Sequence, residues 1–226
     1  MKPIIKKIQS NIYLIRELDY IESCNCYLII GTKKCLLIDF GIGLDNIFNF
    51  IFPLIKNKEL IKVLTHFHFD HFGGTKYFDN ILANKIKIKD IGIKYLNEKD
   101  FYSNEHYLKA IGNLEIDFNK FIHVKDKETI NLGDYIFEII YTPGHDSSSI
   151  SLFEKKNKML FSGDLIYDGE IYHDLKDSNI KDYILSLQKI LSLEPKIIYG
   201  GHNMAMSSST IIKKVIQSIQ KLNKHK

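Results

Sequence analysis

At 226 residues with 45% hydrophobic side chains, the chain has enough apolar material for a sizeable core, and sandwich-like folds of this length are often one unit. The net charge is only +4, and the 31 basic residues include a single arginine, Arg16, the side chain best suited to bidentate phosphate contact, so no nucleic-acid partner is expected. Charged residues recur from Met1-Lys2-Pro3-Ile4-Ile5-Lys6-Lys7 onward before any apolar run reaches the length of a signal-peptide core or a membrane span, which predicts a cytoplasmic protein with no membrane partner.

In chain order, short strands are expected around residues 4–9, 11–17, 25–31 and 34–39, then a helix near 44–57. Cys24, Cys26 and Cys35 are odd in number and lack C-x-x-C spacing, so they read as reduced residues in strands. The apolar run Leu60-Ile61-Lys62-Val63-Leu64 reads as a buried strand that feeds Thr65-His66-Phe67-His68-Phe69-Asp70-His71-Phe72-Gly73-Gly74, and the two glycines at its end place this stretch where a strand ends and a helix begins. That stretch packs three imidazoles and a carboxylate into six residues, a cluster suited to a metal. If its backbone stays extended, His66, His68 and Asp70 share one face while Phe67 and Phe69 join the core on the other. His71 falls at the turn, offset toward a second ion.

Residues 88–112 mix charge with Tyr95, Leu96, Phe101, Tyr102, Tyr107 and Leu108, a pattern that predicts short helices and a lid over the site. Three strands follow. The last, near Tyr135–Tyr141, leads into Thr142-Pro143-Gly144-His145. A hairpin of Ser149–Glu154 and Lys158–Phe161 delivers Ser162-Gly163-Asp164, and after a helix near 179–192 a short strand at 196–199 delivers Gly200-Gly201-His202. Gly144, Gly163 and Gly201 suit loops that converge at one edge of a sheet. Ile211, Ile212, Val215, Ile216, Ile219 and Leu222 form one face of a C-terminal helix, as core packing requires.

The set H-x-H-x-D-H followed by isolated His, Asp and His resembles the metallo-β-lactamase superfamily across nearly the whole chain. The resemblance implies an α/β fold, a four-layer αββα sandwich of two mixed sheets flanked by helices, built as one domain over 1–226. It implies that His66, His68 and His145 hold one metal, that Asp70, His71 and His202 hold the other, and that Asp164 bridges them. Imidazole and carboxylate ligands in such numbers favour two zinc ions, with iron or manganese also compatible. Asp39, in Leu36-Leu37-Ile38-Asp39-Phe40-Gly41, matches a further family position and reads as a loop-ordering residue rather than a ligand.

The implied chemistry is hydrolysis by a metal-bridging hydroxide, with Asp70 orienting it and carrying a proton toward the leaving group. The centre would be net positive, which favours an anionic small-molecule substrate. Family branches differ at readable positions. Flavodiiron members have Glu where His68 stands, the main zinc β-lactamases have Cys where Asp164 stands, and glyoxalase II proper carries a C-terminal helical region for which little chain follows His202. Phe161-Ser162-Gly163-Asp164-Leu165-Ile166-Tyr167-Asp168-Gly169 resembles the acyl-coenzyme A thioesterase branch, so an acyl thioester is the expected substrate. Tyr167, three residues after the bridging Asp, resembles the lactonase branch, where such a phenol can reach the substrate carbonyl, so acyl-homoserine lactone cleavage is the alternative. A metabolite-binding protein with vestigial hydrolysis is the non-catalytic alternative, and a homo-oligomer is compatible with all three.

Overall fold

The computed structural model describes residues 2–17, 23–84, 117–175, 178–204 and 210–223. The chain divides into two units, Met1–Val124 with Asn131–Asp134, and Lys125–Ile130 with Tyr135–Lys226.

The first unit is built on a seven-stranded mixed sheet whose spatial order follows the chain: β1 (Ile4–Gln9), β2 (Ile12–Arg16), β3 (Cys26–Ile30), β4 (Lys34–Ile38), β5 (Glu59–Val63), β6 (Ile81–Ala83) and β7 (Phe121–His123). Strands β1 to β4 pair antiparallel, and β4 through β7 pair parallel. Strands β3 and β4 are buried along almost their whole length, which is why Cys-Tyr-Leu-Ile-Ile and Lys-Cys-Leu-Leu-Ile read as continuous apolar runs instead of alternating. The edge strand β1 is largely exposed and carries Lys6 and Lys7, charges that discourage pairing with another chain.

Helix α1 (Ile47–Ile55) connects β4 to β5. Asn46 caps it by accepting the Phe48 N–H at 3.1 Å, and Ile47, Ile51 and Ile55, spaced one turn apart, face the core with Leu37, Phe40 and Leu64. The parallel register Ile38↔Val63 brings Asp39 and Leu64 out at the same sheet edge, where Asp39 N donates to Val63 O at 2.9 Å.

The second unit carries a five-stranded mixed sheet in the order β12-β11-β10-β9-β8, with β8 (Thr129–Asn131), β9 (Ile136–Tyr141), β10 (Ile150–Glu154), β11 (Met159–Gly163) and β12 (Ile197–Gly200). Strand β10 is antiparallel to both β9 and β11, and β12 is parallel to β11. Strands β9, β11 and β12 therefore all end at one edge, the edge from which the loops to His145, Asp164 and His202 depart. Two helices, α3 (Ile180–Ser192) and α4 (Thr210–Asn223), pack Tyr183, Leu187, Ile190, Ile212, Ile216 and Ile219 into one core with Leu160, Leu165 and Ile198. The apolar stripe expected of the C-terminal helix thus faces this sheet's core, with Lys213 and Lys214 exposed.

One expectation needs correction. The backbone does not stay extended through Asp70: it is extended to His68 (φ −70°, ψ 143°) and then turns into the short helix α2 (Phe69–Phe72), followed by a 3-10 turn at Gly73–Tyr77. Strand β6 also went unforeseen, since three residues are too few to show a period. The segment 88–112, expected as a helical lid, lies outside the described residues. Among the described helices, none is long and apolar enough to cross a membrane.

Candidate metal centre

In the first unit, β5 ends at Val63 and the next eight residues supply His66, His68, Asp70 and His71. Phe67 and Phe69 are buried, as expected of the face opposite the histidines, and Phe67 packs on Phe121 with ring centroids 5.1 Å apart. The ring of His66 lies 4.7 Å from that of His68 and 4.2 Å from that of His71. Because α2 begins at Phe69, Asp70 and His71 sit in one helical turn, and His71 Nε2 is 3.4 Å from Asp70 Oδ2. Helix geometry, rather than strand alternation, presents this carboxylate beside this imidazole.

Asp39 holds the cluster from below. Its side chain is buried, its φ is +60°, and it accepts from Thr65 N at 2.8 Å, from the Thr65 hydroxyl at 2.8 Å and from His71 Nδ1 at 2.8 Å. Since the Thr65 hydroxyl donates to Asp39, its lone pairs face His66 Nδ1, 3.0 Å away. His66 and His71 are thereby fixed as Nδ1–H tautomers, which leaves the Nε2 atom of each as the one that could bind a metal. Asp39, expected as a loop-ordering residue, also orients both imidazoles, His71 directly and His66 through Thr65, whose part no sequence signal revealed.

Glycines bring α2 close to its neighbours. A Cβ at Gly73 would overlap the Ile42 carbonyl, and Gly74 N donates to Gly41 O at 3.0 Å. The 41–45 loop is held in turn by Glu17, a buried carboxylate that accepts from Gly43 N at 3.1 Å and Asp45 N at 3.0 Å. Burial pushes the Glu17 carboxyl up, and those backbone donors pull against the shift. Cys24 and Cys26 are buried free cysteines with Sγ atoms 3.7 Å apart, and burial raises both thiols, so they remain protonated core residues. Cys26 and Cys35 lie in strands as expected, whereas Cys24 precedes β3.

In the second unit, one carboxylate oxygen serves two imidazoles. Asp164 Oδ2 is 3.5 Å from His145 Nε2 and 3.1 Å from His202 Nε2. A tetrahedral ion with bonds of about 2.0–2.1 Å separates its ligand atoms by roughly 3.3–3.4 Å, so these spacings fit donors arranged around metal. His145 Nδ1 is 2.8 Å from the Tyr172 carbonyl, which must accept its hydrogen and so leaves Nε2 as the atom that could bind a metal. Gly144 (φ +145°) and Gly163 (φ +50°) adopt the backbone that the sequence assigned to them; at the third loop Gly200, not Gly201, makes the close approach, its Cβ position 2.5 Å from Tyr167 Cβ.

Tyr167 is buried, with its ring edge-on to the His202 ring at 5.0 Å. Tyr183, which the sequence gave no reason to single out, is fully buried and donates its hydroxyl to Leu165 O at 2.6 Å and Asp164 O at 3.1 Å. Burial, reinforced by the nearby Asp164 charge, pushes this phenol far above its ordinary range, so it stays a donor throughout the working pH range.

His66, His68, Asp70 and His71 of the first unit and His145, Asp164 and His202 of the second all belong to groups of side chains able to hold a metal ion. The sequence profile of the Metallo-beta-lactamase superfamily matches residues 19–202, a span containing every one of them. The chain is 27% identical to the acyl-coenzyme A thioesterase MBLAC2 of Homo sapiens, over 83% of this chain and 75% of that one. It is 31% identical to the probable metallo-hydrolase YqgX of Bacillus subtilis, over 79% of this chain and 84% of that one. Among solved structures, an archaeal metallo-beta-lactamase superfamily protein, ST1585 from Sulfolobus tokodaii, superposes with a TM-score of 0.71 at 27% identity, covering 92% of this chain and 85% of that one. The chain belongs to the metallo-beta-lactamase superfamily and has its α/β fold of two mixed sheets with flanking helices. Membership together with the histidine and aspartate clusters marks it as a metallo-hydrolase.

Proposed function

We propose that the chain hydrolyses acyl thioesters at a binuclear zinc centre. His66, His68 and His145 hold one ion, Asp70, His71 and His202 the other, and Asp164 bridges them. The observation that carries the binuclear reading is the position of Asp164 Oδ2, within 3.5 Å of two imidazole nitrogens assigned to different ions. The likeness to an acyl-coenzyme A thioesterase over 83% of the chain supports the substrate class.

When bound, two such ions act as Lewis acids and lower the pKa of a coordinated water toward neutrality. The protein's own residues do the rest. Asp39, Thr65 and the Tyr172 carbonyl fix imidazole tautomers, which removes reorganisation from the reaction coordinate. Asp70 takes the proton released as the nucleophile attacks and passes it toward the departing sulfur. A thiolate leaves easily, so this second transfer contributes less than it would for an alkoxide. Tyr167 is assigned the task of polarising the acyl carbonyl through its hydroxyl.

The test is turnover by purified, zinc-loaded protein on a panel of acyl-coenzyme A thioesters, homoserine lactones and phosphodiesters. Thioester cleavage that stops on chelation and returns with zinc is the expected result. Preferential lactone cleavage would move the chain to the lactonase reading, and zinc binding with no turnover on any of the panel would favour a binding protein.

A further inference from the structure

We propose that the start of α3 is a brace that sets the spacing between His145 and Asp164, with Tyr183 as the positioning residue that ties the two ligand loops together. The inference rests on the metal-centre reading and concerns residues that touch neither ion nor substrate.

Five backbone carbonyls carry the case. In the first loop three in succession are held: Pro143 O by the Ser186 hydroxyl at 2.6 Å, Gly144 O by Asn179 N at 2.8 Å, and His145 O by the Ser178 hydroxyl at 2.7 Å. In the second loop, Asp164 O and Leu165 O both receive the Tyr183 hydroxyl. All the donors lie within residues 178–186, and Asn179 also caps α3 by accepting from Lys181 N and Asp182 N. The first two turns of a capped helix and the two residues before it thus hold the backbone at a pair of side chains whose Nε2 and Oδ2 atoms are 3.5 Å apart.

Close packing removes the slack. A Cβ on Gly144 would overlap the Tyr183 backbone, so the His145 loop lies directly on the helix. Phenylalanine would fill the same space as Tyr183 but leave two buried carbonyls without this donor, and the Asp164 loop would be free to shift against His145. Packing alone therefore does not account for a hydroxyl at this place. A small displacement of either loop spoils ligand geometry, which is the physical reason that outer residues of metal sites govern affinity.

Zinc affinity, read by competition with a chromophoric chelator, tests the brace without recourse to activity. Tyr183→Phe is expected to bind at least one zinc about 10–100-fold more weakly than the unaltered chain, with its far-ultraviolet circular dichroism unchanged. Ile190→Val, a fully buried change on the same helix, should keep zinc affinity within about twofold. Wild-type affinity in Tyr183→Phe, or an equal loss in Ile190→Val, overturns the proposal. Should Tyr183→Phe not fold, Ser186→Ala replaces it with the same expectation and the same overturning result. An unaltered chain that binds no zinc would instead remove the metal-centre reading, and this inference with it.

Discussion

Asp39 Oδ2 and His71 Nδ1 lie 2.8 Å apart, both buried, and the same carboxylate oxygen receives the Thr65 hydroxyl that faces His66 Nδ1. One carboxylate therefore orients two imidazoles of the proposed metal centre. In Asp39→Asn only one acceptor oxygen remains for three donors, and the NH2 group must face at least one of them. Zinc affinity should fall by about 10–100-fold with secondary structure retained, as measured by chelator competition and circular dichroism. Unchanged affinity would reduce Asp39 to a loop-ordering residue.

Asp164→Ala removes the oxygen shared by His145 and His202. Elemental analysis should find the variant deficient in both ions, not one. Retention of one full equivalent of zinc would contradict the bridge.

Asp70→Asn keeps the shape of the side chain but cannot accept a proton. Turnover should drop by about 10²–10⁴-fold while unfolding by urea is little affected. Near-normal turnover at full metal content would take Asp70 out of the proton path.

Tyr167→Phe separates the two ester classes. The ring packing on His202 is preserved, so the change reads the hydroxyl alone. Thioester turnover should fall lightly and any lactone turnover heavily, because a poor alkoxide leaving group depends more on assistance at oxygen. Equal loss on both would assign the hydroxyl to architecture.

Gly73→Ala places a methyl group against the backbone carbonyl of Ile42, where no rotamer relieves it. Urea denaturation should show a loss of about 1–3 kcal/mol. A neutral substitution would mean that α2 and the 41–45 loop move apart freely.

Much of this was legible in the sequence, for reasons that differ by element. The candidate ligands stood out because seven metal-competent side chains follow apolar runs, and strands β5, β9, β11 and β12 were marked by those runs. The strand-to-helix junction was legible from the two glycines, but not the residue at which it turns: Phe67 and Phe69 are both buried, so an extended strand and a helix starting at Phe69 give the same burial pattern through Phe69. Thr65 and Tyr183 escaped notice because their importance lies in contacts with residues 26 and 19 positions away, Asp39 and Asp164, and no local period encodes such a pairing. The Tyr172 carbonyl is a backbone atom, which any residue type would supply.

The left-handed bend at Asp39, φ +60°, narrows what variation that position tolerates. Glycine would accept the bend at no steric cost but supplies no acceptor. Glutamate keeps the charge but is too long for the Thr65 and His71 donors and disfavours the bend. Asparagine tolerates the bend and offers one acceptor oxygen in place of two. Aspartate alone meets both demands, so a library randomised at position 39 and selected for zinc retention should return aspartate nearly every time.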